Sequence, residues 1–213
     1  MLFRVVAEYD HLMRDLVMWG AMLSAEAITR YGLAAVLEAQ RRNLITRRRM
    51  YGVVIYSARG RNLARHNLTE TQRANVMATS TVLSALLLRL ALRELEAEGV
   101  RLEPHAPVNS PAARHLAVAV DRVPPLVVMA RVELPPRTLQ HLTNLYRDLP
   151  EFEQAHFIAY TLDPTLQERP KMTKRRRVEL RLRTREQMLK YPGSAAEDPA
   201  DDLAEETEEE RPD

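Results

Sequence analysis

Apolar residues recur every three or four positions through the opening of the chain. Leu2, Val5, Tyr9, Leu12, Leu16 and Trp19 share one face, with Arg4, Glu8, His11 and Asp15 opposite, which predicts an amphipathic helix ended by Gly20. Ser24 is placed to cap a second helix with a stripe of Ile28, Tyr31, Ala35 and Ala39, which fades near RRNLITRRR. The β-branched run MYGVVIYSARG predicts one short strand ending at Gly60. Thr69 and Gln72 then have capping-box spacing and Gly99 stands where a C-cap belongs, so residues 69–98 predict a helix about 45 Å long. Its middle is apolar nearly all round. That suits the central helix of a bundle or a seam between subunits.

The texture changes after RLEPHAPVNSPAAR, a loop rich in proline and small residues. HLAVAVDRV and PLVVMARVEL predict strands separated by Pro124 and Pro125. Pro136 suits a first helical position, Leu139, Leu142, Tyr146 and Leu149 form a stripe, and Pro150 stops it. AHFIAYTL predicts a further strand. Val178, Leu180 and Leu182 alternate with Glu179, Arg181 and Arg183 to predict another. The expected fold is α+β and mainly helical. Residues 1–100 form a helical bundle with one short strand, and 101–113 a linker. Residues 114–192 form a small antiparallel β-β-α-β-β unit ending in a basic stretch. Residues 193–213 form an acidic tail expected to be disordered.

Charge sharpens this division. The formal net charge is only +2. The final segment, 193–213, holds ten Asp or Glu and one Arg, so the preceding 192 residues carry 30 Lys and Arg against 19 Asp and Glu, a net of +11. Arginine outnumbers lysine 28 to 3, which favours the planar fork suited to phosphate. From Ala39 to Thr69 there is no Asp or Glu, yet the window holds Arg41, Arg42, Arg47, Arg48, Arg49, Arg59, Arg61 and Arg65. Tyr51 and Tyr56 interleave with them, as residues that stack on bases would. A second cluster holds Lys174, Arg175, Arg176, Arg177, Arg181, Arg183 and Arg185. Within it, PKMTKRRRVE resembles a short basic nuclear-import signal.

Candidate chemistry is sparse. There is no cysteine, which removes disulfides, thiolate zinc sites and cysteine nucleophiles. No two of the six histidines lie three or four residues apart, and no G-x-S-x-G or glycine-rich phosphate loop occurs. No catalytic residue, metal or cofactor is therefore assigned. RHNLTETQRANV lacks the turn of a helix-turn-helix and reads as a capped core helix. The apolar run ANVMATSTVLSALLLRLAL carries Arg89 and five hydroxyl or amide side chains, so a membrane span is not expected. The opening has no uninterrupted apolar core and is not expected to act as a signal peptide.

These features predict a non-enzymatic protein that binds DNA or RNA phosphates with low sequence specificity, its acidic tail competing or solubilising. The alternative is a viral or phage assembly subunit, self-associating through the 69–98 helix. The expected location is cytoplasmic or virion-associated, or nuclear in a eukaryotic host.

Overall fold

A computed structural model describes residues 2–59, 78–105, 116–167 and 177–192. They form a mixed α+β fold with two sheets. The first sheet belongs to an N-terminal unit: α1 (Leu2–Trp19), β1 (Ala21–Leu23), α2 (Ser24–Tyr31), α3 (Leu33–Arg41), β2 (Ile45–Met50) and β3 (Val53–Ala58). Its three strands are antiparallel in the order β1-β3-β2. The expected bundle with a single strand is thus corrected to three helices on a three-stranded sheet. An edge strand needs few apolar residues, so β2 can be made of ITRRRM, which shows little apolar alternation. The expected second helix is also two helices. Gly32, at φ 82° and ψ 151°, interrupts the 3.6-residue geometry between α2 and α3. Leu12, Leu16, Ala27, Val36 and Ala39 from the helices pack with Ile45, Val54 and Tyr56 from the sheet.

Helix α4 (Thr79–Ala97) is the hub of the molecule. Thr69 and Gln72, expected to start it, lie outside the described residues. Its C-terminus matches the sequence pattern: Gly99 has φ 80°, its N–H reaches the Glu96 carbonyl, and the Val100 N–H reaches that of Leu95. This is a Schellman closure. The helix lies between the two sheets, with Ala21, Leu23 and Ile55 on one side and Ala117, Leu126, Val128, Ile158 and Tyr160 on the other. Enclosure by both sheets explains why its middle is apolar all round. The surface expected to meet a second copy is buried within the same chain from Val82 to Ala91. Gly20 lets α1 approach this hub, since a Cβ there would stand 2.9 Å from the Ala85 Cβ, and its φ is +88°. Gly20→Ala should therefore cost at least about 1–2 kcal/mol for the left-handed backbone alone, read by urea unfolding. An unchanged midpoint would show that residue 20 can leave the left-handed conformation and that α1 has room to withdraw.

The second sheet has five strands in sequential order: β4 (Glu103–Pro104), β5 (Leu116–Ala119), β6 (Leu126–Ala130), β7 (His156–Thr161) and β8 (Val178–Leu182). Helix α5 (Pro136–Arg147) joins β6 to β7, and α6 (Arg185–Leu189) follows β8. The expected antiparallel sheet is corrected to a mixed one, because β6–β7 and β7–β8 are parallel. A helical crossover carries the chain back to the starting edge, which hydropathy alone does not reveal. Part of the expected linker is also strand, since β4 pairs with β5, while residues 106–115 lie outside the described set. Leu139, Leu142 and Tyr146 of α5 cover the face carrying Val127, Met129, Phe157 and Val178. Helices cover both sheet faces, so β6 is uniformly buried rather than alternating. The acidic tail, 193–213, lies outside the described residues.

Candidate functional site

The first arginine cluster is built on α3 and the β2–β3 hairpin. Helix α3 ends in a left-handed Asn43 at φ 60°, with the Leu44 N–H returning to the Ala39 carbonyl. The chain then enters β2 and turns through Tyr51 and Gly52, at φ 54° and 81°. Two successive positive φ values give the two-residue turn that suits hairpin twist. Pairing register sets the arginines on opposite faces. Arg47 and Arg49 stand opposite Tyr56 and Val54, whose side chains pack beneath α1–α3. Arg48 stands opposite Ile55, on the face turned towards α4. Arg47 and Arg49 are exposed.

The other members of this cluster are arranged differently. Arg41 grips the Glu38 carboxylate through two hydrogen bonds of 2.8 Å, and Arg42 adds one of 2.5 Å. Hydrogen bonds from Arg41 and then Arg42 hold the Glu38 carboxyl down at about 2. The Arg42 guanidinium also lies 5.4 Å from the centre of the Tyr9 ring. Arg59 donates to the Asn43 side chain. Arg61 and Arg65 lie outside the described residues. Tyr56 is fully buried, so its expected stacking on bases is corrected: it is a core residue. Tyr51 is exposed at the hairpin tip, and the Arg185 guanidinium covers its ring at 4.2 Å.

In the second cluster, Lys174, Arg175 and Arg176 lie outside the described residues. Arg177 donates to the Gln154 side chain at 3.2 Å. Arg181 and Arg183 clamp β8 onto α4. Arg181 bonds Glu98 at 2.7 Å, Glu179 at 2.6 Å and the Tyr160 hydroxyl at 2.9 Å. Arg183 reaches both Glu94 oxygens, at 2.8 and 2.5 Å. Tyr160 donates to Glu94 at 3.0 Å, and burial pushes its hydroxyl up to about 12. Burial works to raise the Glu94 carboxyl, but hydrogen bonds from Arg183 and Tyr160 outweigh it and the net shift is downward. A depressed folded-state value means stability present above the unfolded value, about 4.3, and lost as pH falls through the folded one. Glu94→Gln should lower the melting temperature at pH 7 and flatten its decline as pH falls below about 4.3. Equal acid sensitivity in both proteins would remove Glu94 from that account.

Of the two clusters, then, Arg41, Arg42, Arg181 and Arg183 are engaged by carboxylates within the chain, and Arg47 and Arg49 are exposed on β2. Arg185 brings the end of the second stretch against the hairpin of the first. The paired helices α2 and α3 next to that hairpin were missed in the sequence, although Gly32 between two short apolar stripes marks the break. Among the described residues, no group of three His, Asp or Glu is placed to hold a metal ion, and no helix is long and apolar enough to cross a membrane. No known family, no curated protein and no solved structure matches the chain.

Proposed function

We propose that the N-terminal unit binds duplex DNA, chiefly through backbone phosphates, with α3 and the β2–β3 hairpin as the contacting elements. The observation that carries this is the placement of two short helices joined at Gly32 beside a hairpin that presents Arg47 and Arg49. The element order helix–strand–helix–helix–strand–strand, with β3 central, is topologically like a winged helix-turn-helix. In helix-turn-helix proteins the second helix enters the major groove. Here the exposed residues of α3 are Ala34, Leu37 and Arg41. Only one of these has hydrogen-bonding capacity for a base edge, and Glu38 already engages it. Low sequence specificity follows, with the hairpin arginines supplying phosphate contacts.

The acid-free window from Ala39 to Thr69 supports the same assignment, since it gathers eight arginines into one stretch of chain, a density of positive charge that attracts a polyanion. The acidic tail, 193–213, follows closely on Arg185, which packs on the hairpin tip. Tethered there, it competes with DNA for the basic surface. The test is a salt titration with fluorescently labelled duplex and single-stranded oligonucleotides. For about six phosphate contacts on a duplex, log affinity should fall against log salt with a slope near −5, and the duplex should be preferred. Absence of binding below about 10 μM at about 50 mM salt, with or without residues 193–213, would overturn the proposal.

A further inference from the structure

We propose that the cleft between the end of α1, α2 and the C-terminal half of α4 binds a small organic anion with a flat apolar body. The cleft measures about 420 Å³ and lies between the N-terminal unit and the hub helix. That volume falls in the range of small-molecule sites. Its chemistry is set by an imbalance of charge. Three guanidiniums, from Arg30, Arg89 and Arg93, converge on the buried Glu26 carboxylate at 3.6, 3.2 and 3.3 Å. Asp15 is the second carboxylate of the group, 3.3 Å from Arg89 and 3.7 Å from Arg30. Three cations are therefore shared between two anions.

The arginines are not equally committed. Arg89 is 2% exposed, and its Nε also donates to the Ala21 carbonyl at 2.5 Å. It belongs to the core. Arg30 is 39% exposed, and both its ion pairs exceed hydrogen-bond length. Arg93 makes long hydrogen bonds of 3.3 and 3.4 Å, to Glu26 and to the Lys190 carbonyl, and its guanidinium lies 5.3 Å from the centre of the Tyr191 ring. Burial disfavours its charge, and nearby Arg89 and Arg30 add to that. Arg101 is exposed on the wall, so the lining holds four arginines against Glu26 and Glu96. A guest carboxylate or phosphate would take up the donors that Arg30 and Arg93 use weakly, in a partly desolvated place where such bonds are strong. The rest of the wall is apolar: Trp19, Leu92, Val100 and Leu102. An indole ring beside paired guanidiniums suits a planar ring bearing one anionic group.

This site stands apart from the DNA proposal and is tested separately. Trp19 is the only tryptophan, so its emission reports the cleft directly. Full-length protein would be titrated with benzoate and adenosine monophosphate, and with their uncharged counterparts benzyl alcohol and adenosine. At least one anion should change Trp19 emission saturably with a Kd below about 1 mM, and the neutral compounds should not. The responding anion tells carboxylate from phosphate. Binding should weaken at least about tenfold in Arg30→Met, roughly the worth of one charge-assisted hydrogen bond. Arg101→Met, altered at an exposed position, should weaken it too if Arg30→Met folds poorly. The Arg47→Ser/Arg49→Ser protein should respond like wild type. No saturable response to either anion up to about 10 mM would overturn the site, as would full binding by both cleft variants.

Discussion

Arg89→Met should destabilise the protein by about 3–5 kcal/mol, read as a lowered urea midpoint with unchanged slope. The guanidinium is buried at the centre of α4 and satisfies four acceptors: the Ala21 and Asp15 carbonyls and the Asp15 and Glu26 carboxylates. Methionine fills most of the volume, so the cost is electrostatic rather than a cavity. Glu26 would lose its 3.2 Å contact and keep Arg93 and Arg30 at 3.3 and 3.6 Å, while the Ala21 carbonyl would lose its 2.5 Å donor. Removing one partner of a buried pair leaves the other charge less fully compensated. Arg89→Met combined with Glu26→Met should therefore cost less than the two single changes added together. A loss under about 1 kcal/mol in the single variant would mean that water or a neighbouring arginine replaces Arg89 without strain.

Arg89 also shows where sequence reading stops. A lone arginine in an apolar helix is conspicuous, but its partners lie 63 and 74 residues earlier, and only folding brings them together. Local signals were legible. Pro136 starts α5, Gly99 closes α4, and the strand runs at β5, β6, β7 and β8 stand where their side chains predict. Each depends on a few consecutive residues. Features decided by distant pairing were not legible: the parallel β6–β7 and β7–β8 pairs, and the enclosure of α4 by two sheets. Strand β2 was hidden for a different reason. An edge strand is held by backbone hydrogen bonds, so its side chains can be a run of arginines without an apolar repeat. The same holds for the candidate site. The arginine clusters were plain in the sequence, but apart from the neighbouring Glu179 the carboxylates that bind Arg181 and Arg183 are 83 and 89 residues away.

Changing Arg47 and Arg49 together to Ser should weaken duplex binding by roughly 60-fold at about 0.1 M salt. The size follows from counterion release. Each phosphate contact contributes about 0.9 to the slope of log affinity against log salt, so two lost contacts flatten it by about 1.8. If the two proteins bind alike near 1 M salt, where this term vanishes, a slope difference of about 1.8 over one decade gives that factor. Register supplies the control. Arg48 lies on the opposite face of β2, so Arg48→Ser removes the same charge from the same strand. A proximity effect of net charge would act similarly through all three positions. Direct contact from the α3 side would act through Arg47 and Arg49 and leave Arg48→Ser within about threefold of wild type. Deleting residues 193–213 should tighten binding most at low salt, where the acidic tail is least screened, and should leave the ranking of the hairpin variants unchanged. Equal losses from Arg48→Ser and from either neighbour alone would show that the hairpin acts only as diffuse charge, without a face turned to the duplex.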